Sequence, residues 1–243
     1  MSDVIGYVLV FALVTATIAS VFAVGMTGLE DRRNAERVEN VERAFDVFDD
    51  NLRDIQRYED PSRATEMRLS GGSLTLEETT TVTLEYTNAT GVQVDQRVNS
   101  SRLVYANGDT TVAYEAGAWF RSDGGESVMR SSPRFVADDG RTVLPVVQLR
   151  HENGPRSVDG DGTVQVSTTK GGDQNYQYPL NGSSKIDEIR IESPYADAWE
   201  RYFKGSDAFI DVDRPNDGEV VAAIEHDETV YLRATRVYVS LRR

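Results

Sequence analysis

The chain has 243 residues and no cysteine, with 26 lysines and arginines against 40 acids, a formal net charge of −14 and 39% hydrophobic residues. That length and apolar content suffice for one ordinary domain with appendages. The negative charge excludes a nucleic-acid partner, which needs a basic surface, and the missing thiols exclude disulfides, thiolate chemistry and cysteine-based zinc sites.

The first element is apolar. Val4 to Leu29 carries no charge, and the run is long enough to cross a bilayer, which takes roughly 20 residues in a helix. Small residues, among them Gly6, Ala12, Ala16, Ala19, Ala23 and Gly28, are scattered through it; such residues let helices approach closely in lipid. Residues 1–29 therefore read as a transmembrane or filament-core helix. A removable signal would open on a basic region and close on a small-residue cleavage site, whereas this segment opens on MSD. Basic residues follow the span at Arg32 and Arg33 and none precedes it, so a plain charge count would put the rest of the chain in the cytoplasm. Asp3, at the entry to the span, reads as a helix cap whose carboxylate satisfies free N–H groups and suits the macrodipole.

The helical pattern continues through residues 30–60, with Val38, Val41, Phe45, Phe48, Leu52 and Ile55 spaced 3, 4, 3, 4 and 3 apart. This is a heptad seam with charges on the other faces. It suits packing on the chain's own domain or on a partner helix, and both can hold. Pro61 is the first breaker, which predicts one helix from about Val4 to about Tyr58, roughly 80 Å long at 1.5 Å per residue.

SDVIGYVLVFALV, at residues 2 to 14, resembles the N-terminus of mature haloarchaeal type IV pilins and pilin-like proteins. ERAFDVFDDNLRDI followed by PSRATEMRLSGGSL resembles an uncharacterised pilin-like family with the same start. The resemblance covers about the first 75 residues closely. It implies a precursor with a short basic leader, cut by a prepilin peptidase before SDVIG, and a helix drawn from the membrane into a filament core. It also implies a second role for Asp3, pairing with the terminal amine of a neighbouring subunit. Met1 stands where the family usually has Val or Ala. Either a valine start codon was taken as the initiator and the leader discarded, or the chain is never processed; in the first case the leader's basic residues restore the orientation count. Lysine is confined to Lys170, Lys185 and Lys204, and acid excess with scarce lysine is the expected surface of a salt-loving organism.

Residues 61–243 change to alternating β patterns. TVTLEY (81 to 86), RLVYANGDTTVAYE (102 to 115), TVLPVVQL (142 to 149) and TVQVSTT (163 to 169) read as short, half-exposed strands. Asn107-Gly108 marks a hairpin, and GGDQN, DGDGT and HDET mark further turns. Ser193-Pro194 predicts the start of one helix that ends at Gly205, with Trp199, Tyr202 and Phe203 packed on the sheet. EVVAAIEH and TVYLRATRVYVSL read as a closing hairpin of central strands. The fold class is α+β: a long N-terminal helix, transmembrane and then an amphipathic stalk, followed by a mainly antiparallel extracytoplasmic domain.

Asp159 and Asp161 could begin a calcium loop but lack its closing Glu, and Asp211, Asp213 and Asp217 share that weakness. His151 and His226 are the sole imidazoles and lack the close spacing of a metal pair. No phosphate loop or nucleophile elbow is present. No cofactor, metal or catalytic residue is assigned, and the chain reads as a non-enzyme. Sequons at Asn88, Asn99 and Asn181 are glycosylation candidates in an exported chain. The expected function is a structural pilin-like subunit of a surface filament, with the membrane, other pilin subunits and a prepilin peptidase as partners. The alternatives are a solitary single-pass surface protein that binds or adheres without polymerising, and an anchored extracellular enzyme.

Overall fold

The structure is a computed structural model and describes residues 2–58, 60–87, 90–138, 141–178, 185–224 and 229–243. In chain order it contains helix α1 (Ser2–Tyr58), then β1 (Ser62–Arg68), β2 (Ser73–Thr87), β3 (Gln93–Asn107), β4 (Thr110–Glu115), β5 (Ala118–Asp123) and β6 (Glu126–Ser131). These are followed by β7 (Val136–Asp138), β8 (Arg141–His151), β9 (Ser157–Asp159), β10 (Thr163–Tyr178) and β11 (Lys185–Glu192). Helix α2 (Ala196–Lys204) precedes β12 (Phe209–Asn216), β13 (Glu219–Ile224) and β14 (Thr229–Arg242). The chain divides into two compact units, Met1–Asn40 and Val41–Arg243.

The first unit is the N-terminal part of α1, which holds no Pro to interrupt the backbone ladder and is uncharged from Val4 to Leu29. The second contains the rest of α1, α2 and one 14-stranded sheet ordered β1-β10-β14-β8-β3-β2-β11-β13-β12, with β4 to β6 branching from β3. The pairs are antiparallel except β14 with β8, which run parallel. The fold is thus a long helix followed by a mainly β domain with one short helix.

Two buried clusters fill the second unit, one on each side of the central strands. Val41, Phe45, Phe48, Leu52 and Ile55 of α1 pack with Leu103, Tyr105, Tyr114, Trp119, Val147, Leu149, Val237 and Val239. On the other face, Val104, Ala113, Phe120, Leu144, Val146, Leu232 and Ala234 pack with Trp199 and Phe203 of α2 and with Val82, Leu84, Ile189 and Val220. Alternate residues point to opposite faces of a strand, so β3, β4, β5, β8 and β14 bury both parities. The expectation of short, half-exposed strands is corrected here: helices cover both faces, and β2, β3, β10 and β14 run 14 to 16 residues. In β2 the face occupied by apolar residues switches at a register shift between Glu78 and Thr80. Leu74 and Leu76 before it join the α1 cluster, while Val82 and Leu84 after it join the α2 cluster. One extra residue in a bulge reverses the alternation that follows.

Other sequence expectations also change. GGDQN is not a turn: Gly171 and Gly172 lie inside β10 at a bulge against β14, where Gly172 takes φ +104° and Gly171 approaches the Tyr238 ring. DGDGT does turn the chain, but β9 before it pairs with β2 and not with β10. The closing segments do not form a hairpin: β13 lies between β11 and β12, and β14 between β10 and β8. HDET falls mostly outside the described residues. The β3–β4 hairpin forms as read, with Asn107 paired to Thr110. Helix α2 begins at Ala196, and Ser193 does not cap it; its hydroxyl instead accepts the Tyr195 N–H at 2.9 Å.

Candidate functional site

The feature with the clearest chemical consequence is the apolar surface of the first unit. Val4–Ala23 has a mean hydropathy of 2.3 and none of it is buried; Tyr7, Leu9, Phe11, Leu13 and Phe22 are each more than 60% exposed. Thr15, Thr17 and Ser20 donate their hydroxyls to the carbonyls of Phe11, Leu13 and Ala16, each at 2.8 Å. Polar side chains satisfied within their own helix are compatible with a hydrocarbon environment. The segment is long and apolar enough to cross a membrane. The Asp3 side chain lies outside the described residues.

The seam residues are all buried, Val38 at 7% exposure and the others at 1% or less. From Val41 onward their partners are the chain's own sheet. Phe48 meets the Tyr114 ring edge-on at 5.3 Å, and Phe45 lies 6.4 Å from Trp119. The flanks of α1 add polar ties: Trp119 Nε1 donates to Asp46 at 3.1 Å, and Arg121 donates to Glu42 at 2.8 Å. Little of this stretch of the seam is left for a partner helix.

The candidate calcium loop is occupied by the chain itself. Arg243 Nη2 donates to the carbonyls of Asp159 and Asp161 at 3.0 and 2.9 Å, so a guanidinium takes the oxygens a cation would need. Asp217 pairs with Arg214 at 3.0 Å. The His151 ring lies 3.1 Å from the Gly154 carbonyl, and His226 lies outside the described residues. Among the described residues, no three His, Cys, Asp or Glu converge as a metal site. The sequon at Asn99 places that side chain in the open on β3, while Ser101, its hydroxyl partner, is fully buried. Asn88 and Asn181 lie outside the described residues.

Two buried carboxylates escaped the sequence reading. Glu115, at 0% exposure, accepts hydrogen bonds from Thr80, Ser193 and Trp199. Asp49, at 2% exposure, accepts from Ser131 at 2.7 Å and pairs with Arg53 at 2.6 Å. Burial pushes the Asp49 carboxyl up from 3.8 to about 6, against the pull of Ser131 and Arg53. The available signal was positional. Glu115 occupies an inward parity of β4, and Asp49 follows Phe45 by one helical turn and precedes Leu52 by three residues, which places it on the seam face. Glu115 is held among neutral donors and Asp49 between Ser131 and Arg53, which suits fastening elements together.

A family described as "Family of unknown function (DUF7289)" matches residues 1–240. A protein of Archaeoglobus fulgidus carrying the name "Uncharacterized protein" is 32% identical over 78 residues, covering 32% of this chain. The alignment spans 26% of that relative's length. No solved structure matches.

Proposed function

The chain belongs to the DUF7289 family, whose function is unknown, and we propose that it is a pilin-like structural subunit, held by its N-terminal helix in a membrane or in the core of a surface filament. The observation that carries this reading is one helix, Ser2–Tyr58, whose first stretch bares apolar side chains on all sides and whose last stretch supplies a domain core. An apolar surface of this size needs lipid or other helices to cover it. The archaeal relative is in keeping with the archaeal pilin resemblance. In this reading the β domain lies outside the cell, its acidic surface hydrated in brine, and it performs no catalysis.

The test is to shear native cells and follow the chain by immunolabelling. Recovery in sheared filaments, with disulfide cross-links between subunits carrying Ala12→Cys and Ala19→Cys, is the expected result. A chain found only in membranes, without cross-links, would replace the polymer by a solitary anchored surface protein.

A further inference from the structure

Helix α1 covers only part of the sheet face it packs on. Its last buried seam residue is Ile55, yet the same face continues along β8 and β14, where Pro145 lies beside Arg233 and Val143 beside Tyr231. Strand alternation puts these four on the side of Val147, Leu149, Val237 and Val239, which lie in the helix-covered cluster. In the angle between the helix end and this uncovered strip is a cavity of about 380 Å3. Four arginines line it, Arg53 and Arg57 from α1, Arg134 from the β6–β7 connection and Arg233 from β14. Its floor is Val143 and Pro145. An adjoining cavity of about 420 Å3 shares Val143 and Arg233 and extends to Tyr231.

Part of this charge is already answered. Arg53 pairs with Asp49 and Asp50, and Arg233 pairs with Asp173 at 2.8 Å. Arg57 lies in the last turn of α1, where a cation complements the helix dipole, and its guanidinium sits 5.4 Å from the Tyr58 ring. Arg134 lies close enough to Asp49 to pull its carboxyl down, but among the described residues neither Arg57 nor Arg134 forms a direct ion pair with a carboxylate. The Nε atoms of Arg53 and Arg233 and the Gln56 amide nitrogen are buried without an acceptor. On a chain of net charge −14, a concave site with surplus guanidinium donors is the complement of the rest of the surface.

We propose that this cleft binds an acidic sugar, a pyranose ring bearing a carboxylate or sulfate. The planar fork of arginine grips such a group through paired hydrogen bonds, a geometric preference that survives salt better than attraction between point charges does. The Val143–Pro145 floor and the Tyr231 ring offer an apolar surface for the C–H face of the ring, which an inorganic anion would not need. The volume is that of a small-ligand pocket. The assignment stands whether or not the chain polymerises.

The experiment is calorimetric titration of the full chain in lipid nanodiscs with sodium glucuronate, glucose 6-sulfate, glucose and sodium sulfate. Glucuronate or glucose 6-sulfate should bind one to one, with glucose unsaturable and sulfate at least tenfold weaker. Replacing Arg57 and Arg134 together by Ala should weaken binding at least tenfold, with Arg134→Glu alone doing the same and Arg97→Ala, on β3, without effect. The Arg57 and Arg134 side chains are exposed and Arg97 makes only a surface pair with Asp95, so the variants should keep the parent circular dichroism. Equal affinity for sulfate and glucose 6-sulfate would overturn the sugar assignment, and undiminished binding in Arg134→Glu, or no binding of any probe, would overturn the site.

Discussion

The indole N–H of Trp199 donates to Glu115 Oε1 at 2.8 Å, tying the middle of α2 to the end of β4 inside a fully buried cluster. Ser193 adds a second hydrogen bond to the same oxygen and Thr80 one to the other. The carboxyl group therefore joins three separated segments through neutral donors. Glu115→Ala leaves those donors buried without an acceptor, at a loss of about 3 kcal/mol. Glu115→Gln, which places an amide among donors, should lose less but more than 1 kcal/mol. Chemical denaturation checks the order.

Asp49 should make stability fall as pH rises. Its carboxyl titrates near 6 in the folded chain and near 3.8 when exposed, so between those values the folded state holds a proton that the unfolded state has released. The folded state binds more protons in that window, and unfolding free energy decreases with pH. The penalty is complete above pH 6 and absent below pH 3.8, amounting to about 3 kcal/mol. Asp49→Asn should remove this slope, so the wild type should lose ground against the variant from pH 4 to 6 in thermal melts. A constant difference between the two would show that Asp49 does not titrate there.

On α1, neighbouring positions should respond very differently. Phe48 is fully buried and Val47 is 53% exposed. Phe48→Ala removes a ring packed on Tyr114 and should cost about 3–5 kcal/mol, whereas Val47→Ala should change stability by less than about 0.5 kcal/mol. Denaturant midpoints of the two variants decide it.

Gly72 marks a close approach to the buried Tyr105 ring: a Cβ there would fall among the ring atoms. The ring cannot easily retreat, because its hydroxyl donates to the Leu69 carbonyl at 2.8 Å. Gly72→Ala should destabilise by about 1–3 kcal/mol through overpacking. Gly218→Ala, whose nearest contact would be an ordinary 3.6 Å to Asn216, should be close to neutral.

The Asn99 sequon should be silent in the folded chain. A sequon needs its hydroxyl residue as well as its asparagine, and Ser101 is 0% exposed beneath the sheet surface. Mass spectrometry of the peptide spanning Asn99 from native protein should find it unmodified. A glycan there would mean attachment before β3 pairs.

Much of the helical part was legible because its signals are local. An uncharged run bounded by acids, a seam at alternating spacings of three and four, and Pro61 as the first breaker depend on neighbours within a few turns. They determined the extent of α1, its membrane-compatible start and the side chains it buries. The Asn107-Gly108 hairpin and the end of α2 at Gly205 were readable for the same reason.

What only the tertiary structure decided was pairing and position across the sheet. Nothing within β13 and β14 states that they part company, because register is set by which strands meet after the chain has collapsed. The glycines at 171 and 172 spell a turn locally, and become a bulge because β14 continues past them as a partner. Glu115 and the arginines around Pro145 lie far apart in sequence from the groups that give them meaning, and Asp49 meets the distant Ser131 as well as its helix neighbour Arg53. Sequence alone supplied the helix and the composition of the domain. Folding supplied the second buried face, the partners of the buried carboxylates and the basic cleft, because those depend on long-range contacts that no local pattern encodes.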